Sequence, residues 1–355
     1  MRRNLTSRLA LVPLLLALAC GIPARADDQV LVGMTEESKL AVERGLAWLA
    51  AQQNNDGSFG CKIGYKLNDE YKGKEMHPHV GVTALAGMTF LAHGNVPGRG
   101  RYGVHVAEAL DFVLRTAQQR VDGYITANGT RMYEHAFCTM FLAEVYGMSP
   151  RPDVAEALRR AVGIIMRSQN EEGGWRYQPF PRDADLSITV STLQGLRAAR
   201  NVGILVDDNV IKKAMNYVKR CGRKSRDGSF AYQDLQTHQT RFTFPLTAAG
   251  VTSLFSGGEY DVPEAKRGLD YLRLNARQLE MGQYHYYYGH YYAAQALYQG
   301  GPKYWNEYFK SLREEILRVQ KPDGSWDDDV GPTYATAMAT LILQLSNEYL
   351  PIFQR

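Results

Sequence analysis

The chain repeats one pattern of apolar and polar positions at intervals of roughly fifty residues. In each copy, apolar residues at helical spacing form one stripe, and a Gly and an aromatic ring follow the last turn. Four copies are clear: RGLAWLAAQQNNDGSFG from Arg44, RAVGIIMRSQNEEGGW from Arg160, KAMNYVKRCGRKSRDGSF from Lys213 and QKPDGSW from Gln320. Weaker copies begin at Glu108 and Arg267. The pattern predicts six amphipathic helices.

A second series of segments, richer in Ala, Gly, Ser and Thr, lies between these copies. The segments begin at Gly81, Tyr133, Asp185, Phe242, Tyr286 and Pro332. Small residues let helices approach closely, so these segments suit an inner ring, whereas the charged amphipathic helices suit an outer ring. The alternation predicts an all-α fold, an (α/α)6 toroid of six helical hairpins. An open solenoid is the alternative, but it usually needs polar capping repeats at both ends, and the sequence shows none.

The Gly and the ring at the end of each copy suit structural roles. The glycines of the clear copies are Gly57, Gly173, Gly228 and Gly324. Gly adopts the left-handed backbone that ends a helix without steric cost. The rings two residues later are Phe59, Trp175, Phe230 and Trp326. We expect these rings to pack in the core and to take no part in chemistry.

The repeat resembles the QW-type motif of squalene and hopene cyclases. The alternating helices resemble the toroid that those cyclases share with protein prenyltransferase β subunits and complement-type thioester domains, across about residues 35 to 350. The resemblance implies a single-domain member of the prenyltransferase/squalene oxidase repeat superfamily. It implies the architecture rather than an activity, because unrelated chemistries use this scaffold.

Residues 1–26 have the features of a cleavable export signal. Three arginines precede the apolar run LALVPLLLALAC, and Ala24-Arg25-Ala26 follows it. We therefore expect residues 27–355 to form one toroid domain, exported to the periplasm or the medium. Twin-arginine export through Arg2-Arg3 and lipid anchoring at Cys20 are the alternatives.

The charge of the chain depends on this leader. The whole chain has 41 basic and 37 acidic residues, and residues 1–26 hold four arginines and no acidic residue. A near-neutral remainder has no electrostatic footprint for nucleic acid or anionic lipid. No later segment approaches the ~20 apolar residues of a membrane-spanning helix. We expect a small apolar or glycan ligand as the partner.

The remaining cysteines, Cys61, Cys138 and Cys221, are odd in number and have no close neighbour in sequence. This argues against a disulfide framework and against a C-x-x-C zinc site. Thioester domains need Cys-Gly-Glu-Gln, whereas Arg and Lys follow the Cys-Gly pair at Cys221. The Asp-x-Cys pair of a prenyltransferase-like zinc site is also absent. We expect neither a metal nor a cofactor.

In a toroid, the N-terminal ends of the inner helices surround one end of the central cavity, so residues there converge. The segment Asp183-Ala184-Asp185 looks like the Asp-x-Asp-Asp-Thr segment of triterpene cyclases, whose middle carboxylic acid protonates a double bond. Asp185 matches that middle position, but Leu186 stands where the next carboxylate is expected. The alternative interpretation is that Asp185 only caps the helix that follows it.

Histidines near the other inner segments extend this hypothesis. His135 or His290 would activate Asp185 if either lay beside it, and these three residues form the remaining alternative for a metal cluster. The predicted catalytic residues are Asp185, Asp183 and His135. The loop before the fourth inner segment adds His238 and Arg241. The long stretch from Cys61 to His79 is expected to be irregular and to lie over the mouth of the cavity.

Tyrosines dominate the fifth inner segment. Residues four apart share one helix face, so Tyr288 lies with Tyr292, and Tyr287 with Tyr291. Ring faces stabilise a developing carbocation, although rings also stack on sugars or simply fill space. The predicted substrate-binding residues are Tyr133, Tyr287, Tyr288, His290, Tyr291 and Tyr292.

Three functions fit these features. The first is an exported enzyme that acts on, or binds, an isoprenoid-like apolar substrate in the central cavity, with Asp185 as the acid; it would be a terpenoid cyclase-like isomerase or a prenyltransferase-like transferase. The second is a toroid that binds a ligand or acts as a scaffold without catalysis. The third is a polysaccharide-cleaving enzyme, which needs a second acid, and Glu134 is the candidate for it.

Overall fold

The computed structural model describes residues 30–63, 72–127, 131–234 and 240–354. The predicted leader with Cys20, and also His238, lie outside the described residues. The described α-helices are α1 Glu36–Gln52, α2 Val80–Ala92, α3 Gly103–Gln118, α4 Met132–Met148, α5 Pro152–Arg167, α6 Leu186–Asn201, α7 Asp208–Arg223, α8 Phe244–Ser256, α9 Pro263–Asn275, α10 Tyr286–Gly300, α11 Pro302–Arg318 and α12 Pro332–Gln344. The described strands are β1 Gly60–Ile63 and β2 Lys72–Pro78, paired antiparallel.

The helices form two concentric layers. The even-numbered helices pack side by side from α2 through α12, and α12 packs on α2. They are buried on almost every side, as the small residues of the second series predict. The odd-numbered helices bury one stripe and expose the other face. The predicted (α/α)6 toroid is confirmed.

Hydrogen bonds join the last hairpin to the first. Gln320 Nε2 donates to the carbonyl oxygen of Ala41 at 2.8 Å and to that of Gly324 at 2.9 Å. In the inner layer, Thr89 Oγ1 donates to the carbonyl oxygen of Ala337 at 3.1 Å. Both layers are therefore closed, and the open-solenoid alternative is wrong.

The repeated Gly is required by two features of its site. At Gly324 the backbone φ is +94°, a conformation that side chains disfavour. A Cβ there would also lie 2.7 Å from the carbonyl oxygen of Arg44 on α1. A Cβ at Gly173 would likewise lie 2.4 Å from the carbonyl oxygen of Lys213 on the next outer helix, α7. The Gly thus allows each loop to touch the following hairpin.

The aromatic rings are core residues, as predicted. The four rings of the clear copies, Phe59, Trp175, Phe230 and Trp326, have no exposed surface. The backbone N–H of each ring residue donates to a threonine of the following inner helix, in the pairs Phe59–Thr83, Trp175–Thr189, Phe230–Thr247 and Trp326–Thr336. These backbone hydrogen bonds tie the loop after each outer helix to the start of the following inner helix.

The segment between α1 and α2 corrects one expectation. The chain from Cys61 to His79 was expected to be irregular, but its ends form β1 and β2, with Gly60 opposite Pro78 and Cys61 opposite His77. Strand pairing gives hydrogen-bond partners to backbone N–H and C=O groups that would lack them in a long irregular loop. At the opposite end of the ring, a 3₁₀ turn at Pro351–Phe353 packs against α6. No helix in the described ranges is long and apolar enough to cross a membrane.

Candidate functional site

Asp185 lies at the N-terminus of α6 and has no exposed surface. Its Oδ1 accepts hydrogen bonds from the backbone N–H of Ile188 at 2.9 Å and from Ser187 Oγ at 2.6 Å. The helix-capping interpretation is therefore correct for this oxygen. Burial raises the pKa of Asp185, although these hydrogen bonds act in the opposite direction. The second oxygen, Oδ2, takes no part in the cap.

Two tyrosine hydroxyls connect Oδ2 of Asp185 to the mouth of the ring. The Tyr232 hydroxyl donates to Oδ2 at 3.2 Å, and it lies 2.8 Å from the hydroxyl of Tyr177. The backbone carbonyls of both tyrosines accept from the first residues of inner helices, Tyr177 from Met132 and Tyr232 from Leu186. The loops that carry the two rings are thus fixed to the helices that they face.

Three further tyrosines complete a cluster of half-buried rings. Tyr133 lies 6.4 Å from Tyr177 and 6.5 Å from Tyr288 between ring centroids. Tyr334, the third residue of α12, is partly exposed at the start of an inner helix, as Tyr133 and Tyr288 are on α4 and α10. We call Tyr133, Tyr177, Tyr232, Tyr288 and Tyr334 the tyrosine bowl. Their rings are partly exposed, and the buried Asp185 contacts the bowl through the Tyr232 hydroxyl.

The predicted binding residues divide between the bowl and the layer beneath it. Tyr288 belongs to the bowl, and its hydroxyl donates to the carbonyl oxygen of Ser187 at 3.1 Å. Tyr292 lies next to Tyr288, at 4.9 Å between centroids, as the shared helix face predicts. However, Tyr287, Tyr291 and Tyr292 are buried. These three rings therefore do not belong to the partly exposed wall of the bowl.

Asp183 lies beside the bowl and is much more exposed than Asp185. Its carboxylate forms an ion pair with Arg176, and 48% of its side chain is exposed. The Nε atom of Arg176 also lies 4.0 Å from Oδ2 of Asp185. Because Arg176 engages Asp183 directly and Asp185 only at this longer range, the two aspartates differ in environment although they are two residues apart.

His135 and His290 do not contact Asp185. Nδ1 of His135 accepts from the backbone N–H of Ile125 at 3.0 Å, and Nε2 lies 3.0 Å from the carbonyl oxygen of Ala161. In His290, Nδ1 lies 2.9 Å from the Tyr308 hydroxyl and Nε2 lies 3.0 Å from a loop carbonyl. Both rings are therefore bound to outer elements, and the contacts support neither acid activation nor a shared metal cluster with Asp185.

These histidines occupy a repeated structural position. In the clear copies a Thr stands at the fourth or fifth residue of the inner helix, and in the two weak copies His135 and His290 stand there. Burial lowers the pKa of both imidazoles to about 4, so they are neutral near pH 7. In the first weak copy Ile125 stands in place of the buried ring, and Nδ1 of His135 accepts its N–H as the Thr hydroxyl does in the clear copies.

Glu134 is engaged on both carboxylate oxygens. Oε2 accepts from Thr126 Oγ1 at 2.6 Å and from the backbone N–H of Ala127 at 2.9 Å. Oε1 lies 3.4 Å from Nε2 of His79, which caps α2. Glu134 is fully buried. This arrangement fastens α2 to α4 and leaves the residue poorly placed to act as a second acid in an open groove.

The described residues contain no group of three or more His, Cys, Asp or Glu arranged to hold a metal ion. Cys61, Cys138 and Cys221 are buried. Burial raises the pKa of Cys138 well above its ordinary value and that of Cys221 to about 12, so both thiols stay protonated and are poor nucleophiles. Their positions are those of small core residues.

A cavity of about 380 Å³ lies beside the bowl. Its walls include Arg131, which is two residues before Tyr133, and Gln178 to Phe180, which follow Tyr177. The backbone φ is +63° at Arg131 and +58° at Phe180, so two residues with disfavoured backbone conformations line one groove. The candidate site is thus the tyrosine bowl together with this side groove.

Structural comparison identifies the fold. The type II terpene cyclase MstE from Scytonema superposes with a TM-score of 0.58 and 13% identity over 89% of this chain and 100% of the cyclase. The chain has the α/α toroid fold of the terpene cyclases. Cellobiose 2-epimerase from Bacillus thermoamylovorans superposes on the toroid with a TM-score of 0.64 and 13% identity, over 87% of this chain and 98% of the epimerase.

The toroid also matches a protein with a third activity, an alpha-amylase from Clostridium perfringens, with a TM-score of 0.61 and 10% identity over 86% of this chain and 97% of the amylase. No family model and no curated protein matches the chain. Because three activities share the fold at such low identity, the likeness shows architecture and leaves function to be argued from the site.

The sequence reasoning missed Tyr177 and Tyr232. Each stands two residues after a buried ring of the repeat, Tyr177 after Trp175 and Tyr232 after Phe230. This shared offset in two consecutive copies is a signal that the sequence contains. It places both hydroxyls between the starts of neighbouring inner helices, next to Asp185.

Proposed function

We propose that the tyrosine bowl binds an isoprenoid-like substrate and that Asp185 protonates it. The proposal depends on one observation: Oδ1 of Asp185 holds the helix cap, while Oδ2 is turned toward Tyr232 and the bowl. One carboxyl group thus combines a fixed position with an oxygen directed at the ligand side. Burial raises the pKa of the group, which favours the protonated form that an acid catalyst needs.

The rings around Asp185 suit the charge that protonation creates. Adding a proton to a carbon–carbon double bond produces a carbocation, and the faces of Tyr rings attract positive charge. The cation closes a ring by attack of a second double bond and then loses a proton. The overall reaction is an isomerisation, so it needs no oxidant and no second substrate.

Among the fold neighbours, a variant of MstE was solved in complex with its substrate geranylgeranyl dihydroxybenzoate, with a TM-score of 0.56 to this chain. This compound is a rational first probe because it carries a polyprenyl tail with several double bonds. The polysaccharide-cleaving alternative receives less support, since Glu134 is buried and bonded on both oxygens. Binding without reaction is the second candidate, and the complete burial of Asp185 favours it.

The test uses the purified protein and the variants Asp185→Asn and Asp183→Asn. Asn still caps a helix, so Asp185→Asn removes the acid and keeps α6. Asp183→Asn is the matched control, because Asp183 lies two residues away and about half of its side chain is exposed. Small molecules that copurify with each protein are compared by mass spectrometry. Each protein is then incubated with geranylgeranyl dihydroxybenzoate in D2O.

An acid catalyst gives a cyclic isomer that carries one deuterium, from the unmodified protein and Asp183→Asn but not from Asp185→Asn. Bound but unchanged ligand in all three proteins supports the non-catalytic candidate instead. If no prenyl compound copurifies and none binds, both the acid and the isoprenoid ligand are rejected.

A further inference from the structure

Arg241 lies on the rim of the tyrosine bowl. Its guanidinium carbon is 4.2 Å from the centroid of the Tyr232 ring, and the residue is exposed. Its backbone is fixed, because its carbonyl oxygen accepts from the N–H of Tyr232 at 3.0 Å and the next residue pairs with Ala231 in an antiparallel bridge. The guanidinium is therefore held at the opening by a stacked ring and a paired backbone.

The charge of Arg241 is not neutralised locally. Across the described part of the chain, no carboxylate lies within ion-pair distance of its guanidinium. Other arginines in this part of the ring do have such partners. Arg176 pairs with Asp183, and Arg220 pairs with Asp234 at 2.5 Å. Arg241 differs from these in offering its charge to whatever enters the bowl.

The positive charge acts across the bowl. Burial and the nearby charge of Arg241 together lower the pKa of His285 to about 4. Arg241 also opposes the rise that burial causes in the pKa of Tyr133. Arg241 therefore contributes a positive charge to the opening.

We infer that Arg241 binds an anionic head group, a carboxylate or a phosphate, at one end of the isoprenoid-like substrate. This inference rests on the proposed function and narrows its substrate class. The ring of Tyr232 links the two ends of the site, because Arg241 stacks on its face and its hydroxyl reaches Asp185. A guanidinium suits this role, since its planar donors match carboxylate and phosphate oxygens.

The test compares charged and neutral ligands with the same tail. The carboxylate pair is geranylgeranyl dihydroxybenzoate and its methyl ester, and the phosphate pair is geranylgeranyl phosphate and geranylgeraniol. Affinities are measured by calorimetry for the unmodified protein, Arg241→Gln and Arg241→Lys. Arg273→Gln is the control, because Arg273 is an exposed residue of the outer helix α9.

We expect Arg241→Gln to lower the affinity for the anionic ligand by about tenfold, as for one lost charge-assisted hydrogen bond. The affinity for the matched neutral ligand should not change. Arg241→Lys should keep part of the affinity that Arg241→Gln loses, and the control Arg273→Gln should leave the affinity unchanged. The pair that shows the difference identifies the head group as carboxylate or phosphate. Equal binding of charged and neutral ligands to the unmodified protein and to Arg241→Gln overturns the inference and leaves the proposed function standing. Binding of no ligand to the unmodified protein overturns both.

Discussion

The hydroxyl of Tyr232 donates a hydrogen bond to Oδ2 of Asp185 at 3.2 Å, while the other carboxyl oxygen caps α6. One side chain thus belongs both to the scaffold of the toroid and to its candidate site. Tyr232 comes from the loop of the next repeat, so the environment of the acid is set by contact between two hairpins.

This contact predicts the effect of Tyr232→Phe on the acid. The hydroxyl donates to the charged form of Asp185, so its removal raises the pKa of Asp185 further. The titration is followed through the carboxyl stretch in infrared difference spectra, with Asp185→Asn used to assign the band. Tyr349→Phe is the control, because Tyr349 is 57% exposed. An unchanged or lowered pKa in Tyr232→Phe would show that the hydroxyl does not bond to the acid.

The glycines of the repeat allow a test of ring closure. Gly324 and Gly282 both have positive φ, +94° and +84°. A Cβ at Gly324 would lie 2.7 Å from the Arg44 carbonyl oxygen, whereas one at Gly282 would meet nothing within 4 Å. In both Ala variants the left-handed backbone lowers the free energy of unfolding by about 1 kcal/mol.

We expect Gly324→Ala to cost at least about 2 kcal/mol more than Gly282→Ala, a further fall in Tm of roughly 4 °C. The measurement is thermal unfolding followed by calorimetry. Equal Tm values for the two variants would mean that the contact between the first and last hairpins contributes little to stability.

Glu144 predicts a loss of stability at alkaline pH. It lies near the end of α4 opposite the bowl, beneath the 3₁₀ turn, and bonds with the backbone N–H of Ile352. Burial raises its pKa to about 8. The unfolded chain releases this proton near pH 4.5 and the folded chain near pH 8, so stability falls as the pH rises between these values.

Glu144→Gln removes this dependence. Near pH 8.5 the variant should be more stable than the unmodified protein, by on the order of 4 kcal/mol at most, and near pH 4.5 the two should be alike. Tm measured across this pH range checks the difference, with the exposed Glu156→Gln as control. A constant offset between the two proteins at every pH would contradict the assigned cause.

At acidic pH, His135 and His290 should make the stability of the protein fall as the pH falls. Burial lowers the pKa of both to about 4, whereas the unfolded chain binds these protons near pH 6.5. Their contribution to stability is therefore lost as the pH falls from about 6.5 toward 4. In the folded protein, the imidazole NMR signals of both should stay those of the neutral form down to pH 5. Midpoints above pH 6 would mean that the rings are not buried as described.

The sequence by itself determined the ring. The helical periodicity, the small residues of the inner segments and the Gly and ring of each copy are local signals, and each specifies a helix, its end or its buried face. Gly173, Trp175 and the helices around them are therefore where the repeat predicts them. The capping role of Asp185 was also available from its position before an apolar helix.

Only the tertiary structure decided which polar groups face the opening. His135 and Tyr133 are two residues apart on α4, yet the first bonds outer elements and the second lines the bowl. Tyr291 is buried while Tyr288, on the same helix, is partly exposed. The direction of a side chain at a helix start depends on the rotation of that helix against its neighbours in the closed ring, and contacts between distant repeats set that rotation.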